Sequence, residues 1–144
     1  TYTTTPKPGN LYMFFYDPKT KDSLPYYDRF PLVFPFAKTE NGFMGLNLHY
    51  LSYKFRIVLL DNLLKFKNTK TLDENTRLRL SWSLLSGISK YKLVQPCVKS
   101  YLSDHLVTQL KIITPTDWTT ALMMPVESFA KASTTQVWKN SGGM

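Results

Sequence analysis

The first fifty residues carry short apolar blocks, rich in aromatics and separated by turn formers, and that pattern predicts strands. Leu11 to Tyr16 (LYMFFY) reads as a strand, and Asp17-Pro18 opens a polar loop through Asp22. In the segment LPYYDRFPLVFPF, residues 24–36, Pro25, Pro31 and Pro35 each lack a ladder donor. A central strand along that whole length is therefore not expected, and Arg29 to Phe36 reads as an edge strand. Lys38 to Gly42 forms a turn and Phe43 to His49 a further strand, with Gly42 and Gly45 allowing a bend or bulge. Three such strands predict a small curled sheet or partial barrel.

A helical period then takes over. Ser52 is a candidate N-cap, and Phe55, Val58, Leu59, Asn62, Leu63 and Phe66 fall on one face. Lys54, Asp61 and Lys65 share the opposite face, with Asp61 and Lys65 spaced as an i,i+4 pair. Thr71-Leu72-Asp73-Glu74 has the form of a capping box, opening a second helix to about Tyr91. Its apolar sector gathers Leu78, Leu80, Trp82, Leu84, Leu85, Ile88 and Tyr91, while Asn75, Arg79, Ser83, Ser86 and Lys90 project opposite. Phe55, Leu59, Leu63, Leu78, Trp82 and Leu85 are expected to share one core. Gln95-Pro96 breaks the run, Val98 to Leu106 reads as a third short helix, and Val107 to Thr114 alternates like a strand. Thr116-Asp117-Trp118 starts another turn or helix.

The whole reads as α+β: a small aromatic-rich antiparallel sheet or partial barrel with two to three packed helices. Residues 1–10 are expected as an extended arm, 11–130 as one domain and 131–144 as a flexible tail. Tyr2 and Trp138 are the lone aromatics of these ends. With Tyr26, Tyr27 and Phe34 of the proline-rich segment, they are the candidate contacts to neighbouring proteins.

Charge narrows the partners. The net charge is +8. Residues 54–111 hold eleven basic groups against four acidic ones, a net +7, so the attraction for polyanions belongs to the middle of the chain. Lys65, Lys67, Lys70, Arg79, Lys90 and Lys92 are the candidate DNA-binding residues; small hydroxyls between Arg and Lys on one helix face suit phosphate contact. The longest apolar runs, such as Ile57 to Leu60, are too short to span a bilayer.

Motifs for catalysis are absent from the sequence. No Walker-type or dinucleotide-binding glycine pattern occurs. His49 and His105 lack zinc-site spacing, and the single Cys97 reads as a small buried hydrophobe. Asp17, Asp22, Asp28 and Glu40 have no spacing that would gather them around Mg²⁺. A non-enzymatic protein without cofactor, metal or small-molecule substrate is the expectation.

The strings GNLYMFFYDPK, LPYYDRFPLVFPF, GFMGLNLHYL, QPCVKSYLSDHL and KASTTQVWKNS resemble small virion proteins of T-even-like contractile-tailed bacteriophages, commonly labelled DNA end protector proteins. The resemblance covers residues 9–141 and is most distinctive over 25–50. It implies a virion protein made in the bacterial host cytoplasm that caps the ends of packaged linear DNA. Its partners would be double-stranded DNA ends and other phage virion proteins, with no membrane. The alternative is a structural neck or baseplate component of the contractile tail acting through protein–protein contacts.

Overall fold

The computed structural model describes residues 2–7, 9–67, 87 and 94–140, with the side chains of the first helix described as far as Asp61. Eight strands are described: β1 (Tyr2–Thr3), β2 (Leu11–Met13), β3 (Tyr27–Asp28), β4 (Leu32–Thr39), β5 (Gly42–Asn47), β6 (Val98–Leu102), β7 (Leu110–Ile113) and β8 (Phe129–Ala130). The α-helices among the described residues include α1 (Tyr53–Lys67), α2 (Trp118–Met123) and α3 (Thr134–Asn140). Six strands form one antiparallel sheet in the order β1-β7-β2-β4-β5-β6, and β3 pairs with β8. The architecture is α+β, and the sheet is not closed into a barrel among the described residues.

The apolar blocks of the sequence are strands buried on both faces, as near-continuous hydrophobic runs require. Leu11 and Met13 of β2, and Leu32, Phe34 and Phe36 of β4, point to one core shared with Leu59, Leu60, Trp118, Leu122 and Val137 of the three helices. The alternate positions Tyr12, Phe14 and Val33 join Phe43, Tyr101 and Leu110 on the other face. There Phe14 meets Tyr101 edge-on at 5.3 Å, and Tyr16 meets Tyr101 at 4.9 Å. Such T-shaped pairs place positive ring edges on negative ring faces.

Several sequence expectations change. The proline-rich segment is central, because β4 lies between β2 and β5. Pro31 precedes the strand, and Pro35 sits where the register with β5 shifts before Ala37, so neither interrupts a regular ladder. Residues 98–106 form β6 followed by a 3₁₀ turn at Ser103–His105, not a helix. Pro96 lies in a preceding 3₁₀ turn, and pairing with β5, from Val98 opposite Leu46 to Leu102 opposite Gly42, overrides local preference. The irregularity expected around Gly42 and Gly45 lies on the facing strand, where the register shifts between Pro35 and Ala37 opposite Gly45 and Met44. The glycines themselves permit close packing. A Cβ on Gly42 would collide with the Tyr101 carbonyl of β6, and one on Gly45 with the Val33 side chain of β4.

Helix α1 begins where Ser52 places it, its carbonyl accepting from the amides of Phe55 and Arg56 at 3.1 Å. Its buried face is rotated from the expected one. Arg56, Leu59 and Leu60 are buried and Phe55 packs partly against the core, whereas Val58 is exposed. Leu63, Leu78, Trp82 and Leu85 of the expected shared core lie outside the described side chains. The ends also carry structure. Tyr2–Thr3 is an edge strand paired with β7, and Thr134–Asn140 is a helix whose Val137 is fully buried.

Candidate nucleic-acid interface

The site is built on a buried carboxylate. Asp28, at the end of β3, accepts four hydrogen bonds: from the Phe30 and Ser128 amides on Oδ1, and from Asn47 Nδ2 and His49 Nδ1 on Oδ2, the last at 2.7 Å. Burial pushes its carboxyl up, but the hydrogen bonds and charge of His49, with Asn47 and the Phe30 amide, hold it below the ordinary 3.8. Asn47 Oδ1 in turn caps the 3₁₀ turn Leu48–Tyr50 through the His49 amide and accepts from Leu32. This network fixes the loop 16–28 against the ends of β4 and β5.

Above it opens a cleft of about 330 Å³, bordered by Tyr16, Tyr26, Tyr27, Tyr50 and Tyr101, with Lys19 and Lys99 among its lining. The Tyr16 hydroxyl accepts from the Leu102 amide at 2.8 Å, so that ring is locked. The Lys99 ammonium sits 4.1 Å from the centre of the Tyr50 ring. Among the described residues no carboxylate lies within ion-pair distance of it. Burial lowers its pKa from the ordinary 10.5. Next to the cleft, and sharing Tyr16 and Tyr27 with it, is a shallow shelf of Phe15, Asp17, Arg29 and Val107. Phe15 is 47% exposed and stacks on Phe30 at 4.4 Å. A larger cleft of about 570 Å³ by residues 4–6 and 37–43 sets Glu40 and Asp104 against Lys38, a poorer setting for phosphate.

Of the candidate DNA-binding residues, Lys65 and Lys67 stand in the last turn of α1 with their side chains outside the described set. Lys70, Arg79, Lys90 and Lys92 lie outside the described residues altogether. Sequence reasoning passed over Lys99, Lys19 and Arg29, the cations that the fold sets beside tyrosines. Lys99 was legible only as part of a segment read as helix.

Of the candidate protein contacts, Tyr2 is 61% exposed on the sheet edge, and Tyr26 and Tyr27 border the cleft. Phe34 is not a surface contact. It is fully buried, its ring meeting Trp118 edge-on at 5.0 Å, because β4 is central. Trp138 packs on its own chain. Its indole N–H donates to the His49 carbonyl at 2.8 Å, and its ring meets Tyr53 at 5.3 Å.

Cys97 is buried, and burial pushes its thiol up to about 12, which leaves little nucleophilic thiolate at neutral pH. Asp17 is paired with Lys21 at 3.0 Å and Asp28 is fully engaged. Among the described residues no three His, Cys, Asp or Glu side chains gather as metal ligands, and no helix is long and apolar enough to cross a membrane.

Comparison with curated protein sequences and with solved structures finds no match. The family model described as phage T4 terminal DNA protecting protein matches residues 1–141. That match spans both core faces, the cleft and the whole of the basic middle segment, and so the chain belongs to the phage T4 terminal DNA protecting protein family.

Proposed function

We propose that this protein caps the ends of linear DNA packaged in a contractile-tailed phage particle, without catalysis, by occluding the terminus and neutralising its phosphates. The observation that carries the reading is the family match over residues 1–141, joined to a net charge of +8. Lys65, Lys67, Lys70, Arg79, Lys90 and Lys92 supply the long-range attraction in this reading, and Lys19, Arg29 and Lys99 the contacts beside aromatic rings. Protection needs only a bound lid, because a processive exonuclease must first engage the end.

The test is direct. Linear duplex preincubated with the protein should resist exonuclease digestion, and an open-ended duplex should outcompete a closed circle for binding. Unchanged digestion, with no binding at low salt, removes the reading.

A structural role in the neck or baseplate is the second reading, favoured by β1, which is the edge strand of the sheet among the described residues and carries an exposed Tyr2. Locating the chain in the intact particle, at the DNA end or among tail subunits, separates the two.

A further inference from the structure

We infer that the tyrosine-lined cleft beside β6 is a socket for a single unpaired nucleotide at the DNA terminus, its base against tyrosine and its phosphate on Lys99. The inference rests on the end-capping reading above and names the part of the DNA that the cleft takes.

Three observations converge. The cleft measures about 330 Å³, at the lower end of ligand sites, which run from roughly 300 to 1,000 Å³. That volume suits one small planar group and its phosphate rather than a stretch of chain. Its walls are aromatic and partly immobilised: the Tyr16 hydroxyl is held by the Leu102 amide, and Tyr16 and Tyr101 stand at 87° to one another. Tyr16 and Tyr101, 7% and 4% exposed, belong to the core and give the cleft a rigid floor, so little ordering is needed at the moment of binding. Tyr26 and Tyr27, half-buried at the rim, supply the ring faces on which the base stacks.

Lys99 provides the third. A partly buried ammonium is expensive to desolvate unless an anion meets it. Asp28, the only carboxylate lining the cleft among the described residues, already accepts four hydrogen bonds from Phe30, Ser128, Asn47 and His49. No carboxylate within ion-pair distance neutralises Lys99 among the described residues. Its stem and the Tyr50 ring hold the charge in place, and a phosphate brought in from outside completes the site. An internal base of a duplex is stacked and paired, so extracting it costs several kcal/mol; an unpaired terminal nucleotide enters at the least cost. The socket therefore discriminates ends from continuous duplex, which charge alone does not.

The test uses the full chain and a short linear duplex carrying 2-aminopurine as its unpaired terminal nucleotide, since stacking on an aromatic ring quenches that base. Quenching on binding is expected for the terminal probe and not for the same base paired internally. Lys99→Met and Tyr27→Leu should each weaken binding of the overhang duplex by about ten-fold, within what one stacked or charge-paired base is worth, with closed circular duplex bound as before. Thermal melting of each variant checks that the fold is kept, and two variants guard against loss of one. Linear DNA bound with the terminal probe unquenched overturns the socket while leaving end capping intact. An equal loss on closed circles overturns it too, by making Lys99 a general phosphate contact. Equal quenching of the free 2-aminopurine nucleotide at matched concentration overturns the terminal assignment. Absence of binding to any DNA removes both the socket and the reading on which it rests.

Discussion

Arg56 and Glu127 meet in the core at 2.6 Å, with side chains 0% and 4% exposed, and they join α1 to the segment between α2 and β8. The same guanidinium donates to the carbonyls of Leu51 at 2.8 Å, Leu122 at 2.7 Å and His49 at 3.3 Å, and lies over the rings of Tyr53 and Trp138. An Arg in this position is not available to DNA. Its planar fork instead donates to three backbone carbonyls and pairs with one buried carboxylate, sharing the His49 carbonyl with the Trp138 indole N–H.

Breaking that pair from one side should therefore be severe. Arg56→Met leaves Glu127 buried without its cation and removes a donor from the Leu51 and Leu122 carbonyls, at a cost of about 3–5 kcal/mol. The His49 carbonyl keeps the Trp138 indole N–H. Glu127→Gln keeps an acceptor oxygen and should cost about 1–2 kcal/mol. Urea denaturation of the two variants checks the order; equal midpoints would contradict it.

Asp28 sets a pH dependence. Its folded-state pKa is depressed, so its contribution to stability is complete above the ordinary 3.8 and is lost as pH falls through the folded value. The parent should lose melting temperature over that acid range. Asp28→Asn should start lower at neutral pH and lose less on acidification, because the titrating group is gone. Melting curves at a series of pH values read the difference, and parallel curves would show that Asp28 titrates alike in both states.

Gly42 should not tolerate a side chain. Its Cα faces the Tyr101 carbonyl across the β5–β6 ladder, and the obstacle to a Cβ is backbone, which does not step aside. Gly42→Ala should strip β6 from the sheet edge and lower stability by about 2–3 kcal/mol or more, in the range of overpacked core sites. Protection of the β6 amides in hydrogen exchange is the measurement.

These cases show what a single sequence reveals. Apolar blocks such as LYMFFY announce strands because burial on both faces needs no partner to be recognised. Whether a strand is central depends on who pairs with it, and Pro35 misled because the bulge at Pro35–Ala37 accommodates it. Val98–Leu102 carries no strong strand signal of its own; Gly42 of β5, distant in sequence, makes room for it. The cleft was invisible for the same reason: Tyr16, Tyr27, Tyr50 and Lys99 share no local period and meet only after the sheet forms. Arg56 was hidden because a charge at a helix position is read as solvent-facing unless its buried acceptors are known.

Trp138 bears on the ends of the chain. A tail aromatic reserved for a neighbouring subunit would contribute nothing to the isolated protein. Here its indole N–H bonds to the His49 carbonyl and its ring contacts Tyr53. Trp138→Ala should thus lower the stability of the isolated chain by about 2–3 kcal/mol, less than a fully buried Trp would. A melting temperature equal to the parent's would return Trp138 to the role of an intersubunit anchor.

The basic middle segment and the cleft predict different dependences on salt. Each lysine or arginine that neutralises one phosphate releases condensed counterions, so removing it should shallow the slope of log affinity against log salt by about one. Lys70→Ala and Arg79→Ala should do this on linear and circular duplex alike, because phosphates along the backbone are the same in both. Lys131 is the control: its ammonium is already held by the carbonyls of Lys21 at 2.7 Å and Leu24 at 3.0 Å, and its replacement should leave the slope unchanged. Titrations across a salt series with both DNA forms measure this. A slope that Lys70→Ala and Arg79→Ala leave unaltered would move the electrostatic footprint off residues 65–92 and onto the surface around Lys19 and Arg29, whose variants should then show the loss instead.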